Sequence, residues 1–158
     1  MSNILTITGV NAAKAGNVIQ QLNTLLADLQ VYYTNLRGLH WHITGRQFFL
    51  LHEQFEKMYD STAEQVDEVA ERILQLGAQP ENRYSQLLKQ ATIQEATGVT
   101  TTEAALDLVF DNVKTLIAQE RAVLEAAGEA DDEVTSGLMG DYLAGLEKLV
   151  WMLQAYNA

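Results

Sequence analysis

Apolar residues recur at three- and four-residue steps through most of this chain, and that period constrains the fold more than any other feature. Val18, Ile19, Leu22, Leu25, Leu26, Leu29, Tyr33 and Leu36 fall on one stripe, as an amphipathic helix requires. A helix from about Asn11 to Leu39 would run for about 40 Å at 1.5 Å per residue. Phe48, Leu51, Phe55, Met58, Tyr59, Val66, Val69, Ile73 and Leu76 give a second stripe with a wide apolar face, and Leu138, Tyr142, Leu143, Leu146, Leu149, Val150 and Leu153 give the last one. A single proline and no cysteine agree with an all-helical chain that has neither disulfide nor thiolate metal site.

The breaks between stripes set the topology. Residues 1–10 read as a short extended arm. Ile43-Thr44-Gly45 separates the first two long helices, and Thr44 with Gln47 fits a capping box at the start of the second. Gly77 and Pro80 stop that helix near Leu76. Residues 77–99 are too long for a tight turn, and Arg83–Gln90 inside them fits a short crossing helix. Thr100-x-x-Glu103 is a second capping box, opening a third long helix to about Ala126. Gly128–Glu133 is a tight acidic link to the fourth. Residues 1–158 therefore read as a single all-α domain, a four-helix bundle with a long crossover carrying a short helix between helices 2 and 3. This is the ferritin-like topology.

Charge narrows the range of partners. The 158 residues carry 10 basic and 21 acidic side chains, a net −11. Binding to duplex nucleic acid relies on neutralising phosphates, so this balance argues against it and favours cations. Neither a secretory leader nor an apolar run of membrane length is present, so a cytoplasmic protein is expected.

All three histidines lie between His40 and His52. On the second long helix His52, Glu56, Asp67 and Glu71 fall at about 0°, 40°, 60° and 100° around the axis. They share one stripe, yet His52 and Asp67 are about 22 Å apart along it. Bonds from nitrogen or oxygen to a metal are about 2.0–2.3 Å long, so one ion cannot bridge the two ends. Two copies of the helix, paired antiparallel across a two-fold axis, bring His52/Glu56 of one opposite Asp67/Glu71 of the other. The pattern is centred near Ser61 and Thr62, small residues that would let the helices approach, and His40 could add an imidazole to each site. Such a ligand set suits iron, manganese or zinc.

Plainer readings exist for each residue. A lone histidine is commonly a hydrogen-bonded structural group, and Glu68 with Arg72 could form an ordinary helical ion pair. His42 would point away from His40 and reads as structural or peripheral; Trp41 reads as packing more than chemistry. No Glu-x-x-His occurs, so a di-iron site of the usual kind in the bundle centre is not expected.

At these residues the chain closely resembles the Dps-type mini-ferritins, the DNA-binding proteins from starved cells. The family's Leu-His-Trp-Asn-x-x-Gly turn reads Leu39-His40-Trp41-His42-Ile43-Thr44-Gly45 here. Its Phe-x-x-Leu-His-Glu helix start reads Phe48-Phe49-Leu50-Leu51-His52-Glu53, and its Asp-x-x-Ala-Glu-Arg segment reads Asp67-Glu68-Val69-Ala70-Glu71-Arg72. The resemblance covers about residues 15–157. It implies a hollow shell of twelve subunits that oxidises Fe(II), typically with hydrogen peroxide, and stores it as a ferric mineral. The ferroxidase centre would take His40, His52 and Glu56 from one subunit and Asp67 and Glu71 from its partner, with Trp41 beside it. Family members commonly carry aspartate at the position of Glu56 and asparagine at that of His42. Asp131, Asp132, Glu133 and Asp141 are the candidates for an iron-entry pore, where Gly137 replaces an aspartate common in relatives. Family members that bind DNA use basic tails; residues 1–10 and 149–158 have no lysine or arginine, so no direct DNA binding is expected. The alternative is a non-catalytic assembly that holds zinc or another divalent ion with the same ligands.

Overall fold

The computed structural model describes residues 3–156, which form six helices and no strand: α1 (Ile4–Thr8), α2 (Ala15–His42), α3 (Phe48–Gln75), α4 (Tyr84–Gln90), α5 (Thr102–Glu129) and α6 (Glu133–Tyr156). The four long helices form the expected bundle, and α4 lies in the crossover. Within it α2 packs against α3, α5 and α4, and α5 packs against α6. The central member is α2, with Val18, Leu22, Leu25, Leu29 and Leu36 fully buried. No helix among the described residues is long and apolar enough to cross a membrane.

Local boundaries differ from the sequence reading in physically explicable ways. The expected extended arm contains a helix over its described part (Met1 and Ser2 lie outside the described residues). Asn3 caps this helix by accepting the Leu5 N–H at 3.1 Å, and Gly9 ends it in the left-handed region at φ 81°. Five residues are too few to show a helical period, so only the cap and the glycine mark it.

Neither proposed capping box forms as written. The Thr44 hydroxyl and amide both donate to the Thr100 carbonyl, at 3.0 and 2.9 Å. They tie the α2–α3 turn to the start of α5, and the Thr44 side chain is no longer free to cap α3. The cap of α5 shifts by one residue, with the Thr101 hydroxyl accepting the Ala104 N–H at 3.3 Å. The helix α5 also runs past Gly128 to Glu129, shortening the acidic link to Ala130, Asp131 and Asp132.

Two buried polar side chains of α2 hold the crossover in place. Asp28 Oδ1 accepts the Thr92 and Ile93 N–H groups at 2.6 and 2.8 Å. Asn35 donates to the Gln94 carbonyl at 3.0 Å and accepts the Ala96 N–H at 2.9 Å. The irregular backbone after α4 thus finds partners inside the protein, which buried amides require. Burial raises the Asp28 carboxyl above its ordinary pKa, and the two amides oppose that shift. Replacing Asp28 with alanine strands both amides and should cost about 2 kcal/mol, read as a lower midpoint in guanidinium titration. An unchanged midpoint would show that the clamp adds nothing to stability.

Candidate metal centre

The centre is built where α2 ends and α3 begins. A helix leaves its last carbonyls without intrahelical donors, and at the end of α2 the His40 carbonyl accepts from His52 Nδ1 at 2.8 Å. The reciprocal bond runs from His40 Nδ1 to the His52 carbonyl at 2.7 Å. The two rings stack with centroids 3.7 Å apart. Because a carbonyl can only accept, each Nδ1 carries a hydrogen, which leaves Nε2 as the nitrogen whose lone pair a metal would take. This is how metal-binding histidines are commonly oriented. Phe48 stacks on the far side of His52 at 5.0 Å, and Tyr59 meets His40 edge-on at 5.4 Å.

Glu56 lies one turn beyond His52 on the exposed side of α3, where the Tyr59 hydroxyl reaches its Oε1 at 3.4 Å. Desolvation, followed by the nearby Glu56 and Asp60 carboxylates, raises the Tyr59 phenol above its ordinary value. Asp67 and Glu71 are also exposed. The fold brings His40 against His52, with Glu56 one turn further along α3, and leaves Asp67 and Glu71 far along the helix. Among the described residues of one chain, no three His, Asp or Glu side chains gather around a common point.

The ligand stripe is set apart from the core. Leu51, Phe55, Val69 and Ile73 mark the buried face of α3, about 130° round the helix from the centre of the stripe at 100° per residue. Thr62 belongs to the buried face, with its hydroxyl on the Met58 carbonyl at 2.8 Å. It therefore cannot be a small residue at a helix–helix contact on the ligand side; exposed Ala63 is the small residue on that side. Trp41 is not core packing either. The residue is 60 % exposed, with the Arg37 guanidinium 4.7 Å from the ring centroid.

Two further expectations are corrected on the other side of α3. Glu68 and Arg72 do not pair. The Tyr142 hydroxyl donates to Glu68 at 2.5 Å, whereas Arg72 donates to Asp132 at 2.7 Å and to Thr135 at 2.8 Å. Asp132 is only 2 % exposed, so of the four pore candidates it cannot face solvent. Asp131, Glu133 and Asp141 are exposed. Sequence spacing could not reveal the Arg72–Asp132 pair, because the partners are 60 residues apart. Burial alone would raise the Asp132 carboxyl, but hydrogen bonds from Thr135 and Arg72 outweigh it and hold the group below its ordinary value.

The bundle with one long crossover defines a ferritin-like helical protein, and its candidate ligands are divided along one helix. Residues 19–158 match the ferritin family, described as a ferritin-like domain. A DNA protection during starvation protein of Porphyromonas gingivalis is 54 % identical over 99 % of this chain and 98 % of its own length. A crystal structure of a Dps protein from Vibrio cholerae, described as one of the ferritin-like diiron-carboxylate proteins, superposes with TM-score 0.90 at 44 % identity, covering 93 % of this chain and 92 % of that one. A Dps structure from Listeria innocua soaked with zinc matches with TM-score 0.85 at 29 % identity, over 88 % of this chain and 94 % of its own. The chain belongs to the Dps-type mini-ferritins of the ferritin-like family.

Arg72 and Asp132 give a prediction. Removing one member of a buried pair strands the other charge, so Arg72→Leu should destabilise the chain by about 3–5 kcal/mol. The Asp132 contribution is present above the unfolded carboxylate pKa and is lost as pH falls through its depressed folded value. Asp132→Asn should therefore weaken the protein at neutral pH and flatten its acid unfolding curve. Acid unfolding indistinguishable from that of the native chain would remove Asp132 as a source of acid lability.

Proposed function

We propose that this protein is a ferroxidase and iron store that oxidises Fe(II), preferentially with hydrogen peroxide, and mineralises the product inside a shell of twelve chains. The observation carrying this reading is the reciprocal His40/His52 arrangement, which engages both Nδ1 atoms with backbone carbonyls and so reserves the two Nε2 atoms for a metal. His40, His52 and Glu56 of one subunit would meet Asp67 and Glu71 of the partner subunit, completing the site across a two-fold interface. The membership of the chain in the Dps-type family supports the same division. The zinc-soaked relative is in keeping with a site that also takes zinc or another divalent ion.

The chemistry follows from the ligand types. Neutral imidazole binds Fe(II) well, whereas anionic carboxylate oxygens favour the harder Fe(III), so the mixed set lowers the reduction potential of bound iron. Two Fe(II) ions each give one electron to hydrogen peroxide, whose O–O bond breaks to leave two hydroxide ions and two Fe(III). The ferric product then hydrolyses and deposits on interior carboxylates. Using up peroxide together with ferrous iron limits hydroxyl-radical formation and so limits oxidative damage. Asp131, Glu133 and Asp141 remain candidates for the entry route, and Trp41 stands one residue from His40 as an oxidisable ring. Placement in the cytoplasm accords with this role.

Stopped-flow oxidation of Fe(II) tests the reading, with peroxide and dioxygen compared and particle mass followed by light scattering. The expected result is fast peroxide-driven oxidation by a particle of about twelve chains, reduced by at least about 100-fold in His52→Ala, in line with the loss of a positioned metal ligand. Oxidation no faster than in protein-free buffer, by an intact particle that still binds zinc, would instead establish the non-catalytic metal assembly.

DNA protection without DNA contact is part of the proposal. A net charge of −11, with no lysine or arginine in residues 1–10 or 149–158, should leave duplex DNA unretarded in a gel at physiological salt. Tight retardation in the absence of added metal would overturn this.

A further inference from the structure

Hydrogen peroxide takes up two electrons and each Fe(II) gives one, so a centre that has bound a single Fe(II) is one electron short. A phenol beside the candidate ligands can supply it. Tyr59 lies one turn beyond Glu56 on α3, and its ring meets the His40 ring edge-on with centroids 5.4 Å apart. Its hydroxyl stands 3.4 Å from Glu56 Oε1, so the same side chain reaches both an imidazole and a carboxylate of the half-centre. A second phenol continues the line: Tyr33 of α2 meets Tyr59 edge-on at 5.8 Å. Both tyrosines are partly buried.

Neighbouring charge selects which ring of this cluster yields an electron. The Arg37 guanidinium lies 5.4 Å from the Tyr33 centroid and 4.7 Å from that of Trp41. A cation over an aromatic face attracts its π electrons and opposes their loss. Tyr59 has instead the Glu56 carboxylate at its hydroxyl, and a negative neighbour favours the loss of an electron. Trp41 follows His40 in the chain but points about 100° away from it on the helix, where its ring meets His42 at 6.4 Å.

We propose that Tyr59, rather than Trp41, donates the second electron to peroxide when only one Fe(II) is bound, and that Tyr33 shares the oxidised state. This rests on the ferroxidase reading above. Fe(II) gives one electron and the Tyr59 phenol gives the other, and the O–O bond breaks. One oxygen leaves as hydroxide; the other takes the phenolic proton and leaves as water. Fe(III) and a neutral phenoxyl radical remain, and no hydroxyl radical is set free. The next Fe(II) returns the electron and water returns the proton, which restores the phenol and leaves hydroxide. The sum is the same two Fe(II) per peroxide.

Rapid-freeze electron paramagnetic resonance tests this on the assembled protein, given one Fe(II) per chain and then one equivalent of peroxide, with iron oxidation followed in parallel by stopped flow. The native protein should show a tyrosyl radical, identified by the narrowing of its signal on ring-deuteration of tyrosine. The signal should persist in Trp41→Phe and be lost in Tyr59→Phe, where a soluble spin trap should capture more hydroxyl radical. An undiminished radical in Tyr59→Phe, or its loss in Trp41→Phe, would overturn the proposal. Fast iron oxidation without any tyrosyl radical would remove this proposal alone, whereas oxidation no faster than in protein-free buffer would remove the ferroxidase reading and this proposal with it. Should Tyr59→Phe fail to assemble, a nitroso spin trap on the native protein decides the matter, its adduct mapped by peptide mass spectrometry. An adduct on Tyr59 or Tyr33 supports the assignment, and one on Trp41 overturns it.

Discussion

Two backbone carbonyls decide where two imidazoles point, and the whole α2–α3 junction depends on that exchange. The His40 carbonyl would otherwise be an orphan at a helix end, and His52 Nδ1 satisfies it. His40 returns the bond to the His52 carbonyl, and the rings stack as a result. Terminating a helix and orienting two candidate metal ligands are thus one interaction. Thr44 secures the same junction from the other side by using the Thr100 carbonyl twice, so α5 is positioned by the turn that presents the histidines.

A second constraint is that α3 serves three directions at once. Leu51, Phe55, Val69 and Ile73 fill the core. The His52, Glu56, Asp67 and Glu71 stripe faces away from it. Glu68 and Arg72 reach across to α6 through Tyr142, Thr135 and Asp132. Neighbouring residues on one helix point about 100° apart, which is why Glu71 can be exposed while Arg72 is buried in an ion pair. The acidic character of the chain hides this division: an acid on the stripe is available to a cation, whereas Asp132 is already committed to a guanidinium.

How much of this could be read from the amino-acid order depended on range. The four long helices were legible because apolar periodicity is local and repeated over many turns, and His52 and Glu56 could be placed on one face for the same reason. The helix at Ile4–Thr8 escaped because one turn has no period. The capping box at Thr44 was misread because Thr44 found a better partner 56 residues away, a competition that local patterns cannot show, and the one at Thr100 was misplaced by one residue because Thr101 takes the cap. Thr62 was placed at the helix–helix contact by its position along the axis alone, when its angle around the axis turns it into its own bundle. Asp28 and Asn35 carried no sequence signal at all, since polar residues in an acidic chain look like solvated surface until their burial is known.

The separation of the ligand set into two groups on α3 has a consequence for the order of the reaction. On the proposed reading, an isolated chain carries only half a centre, so iron oxidation begins only after two chains have met and is second order in newly made protein at low concentration. A polypeptide leaving the ribosome would be unable to turn over iron and peroxide beside unprotected cellular material. Its redox chemistry would switch on only with pairing, so the earliest product of synthesis would be inert and the paired chains would be the first active species.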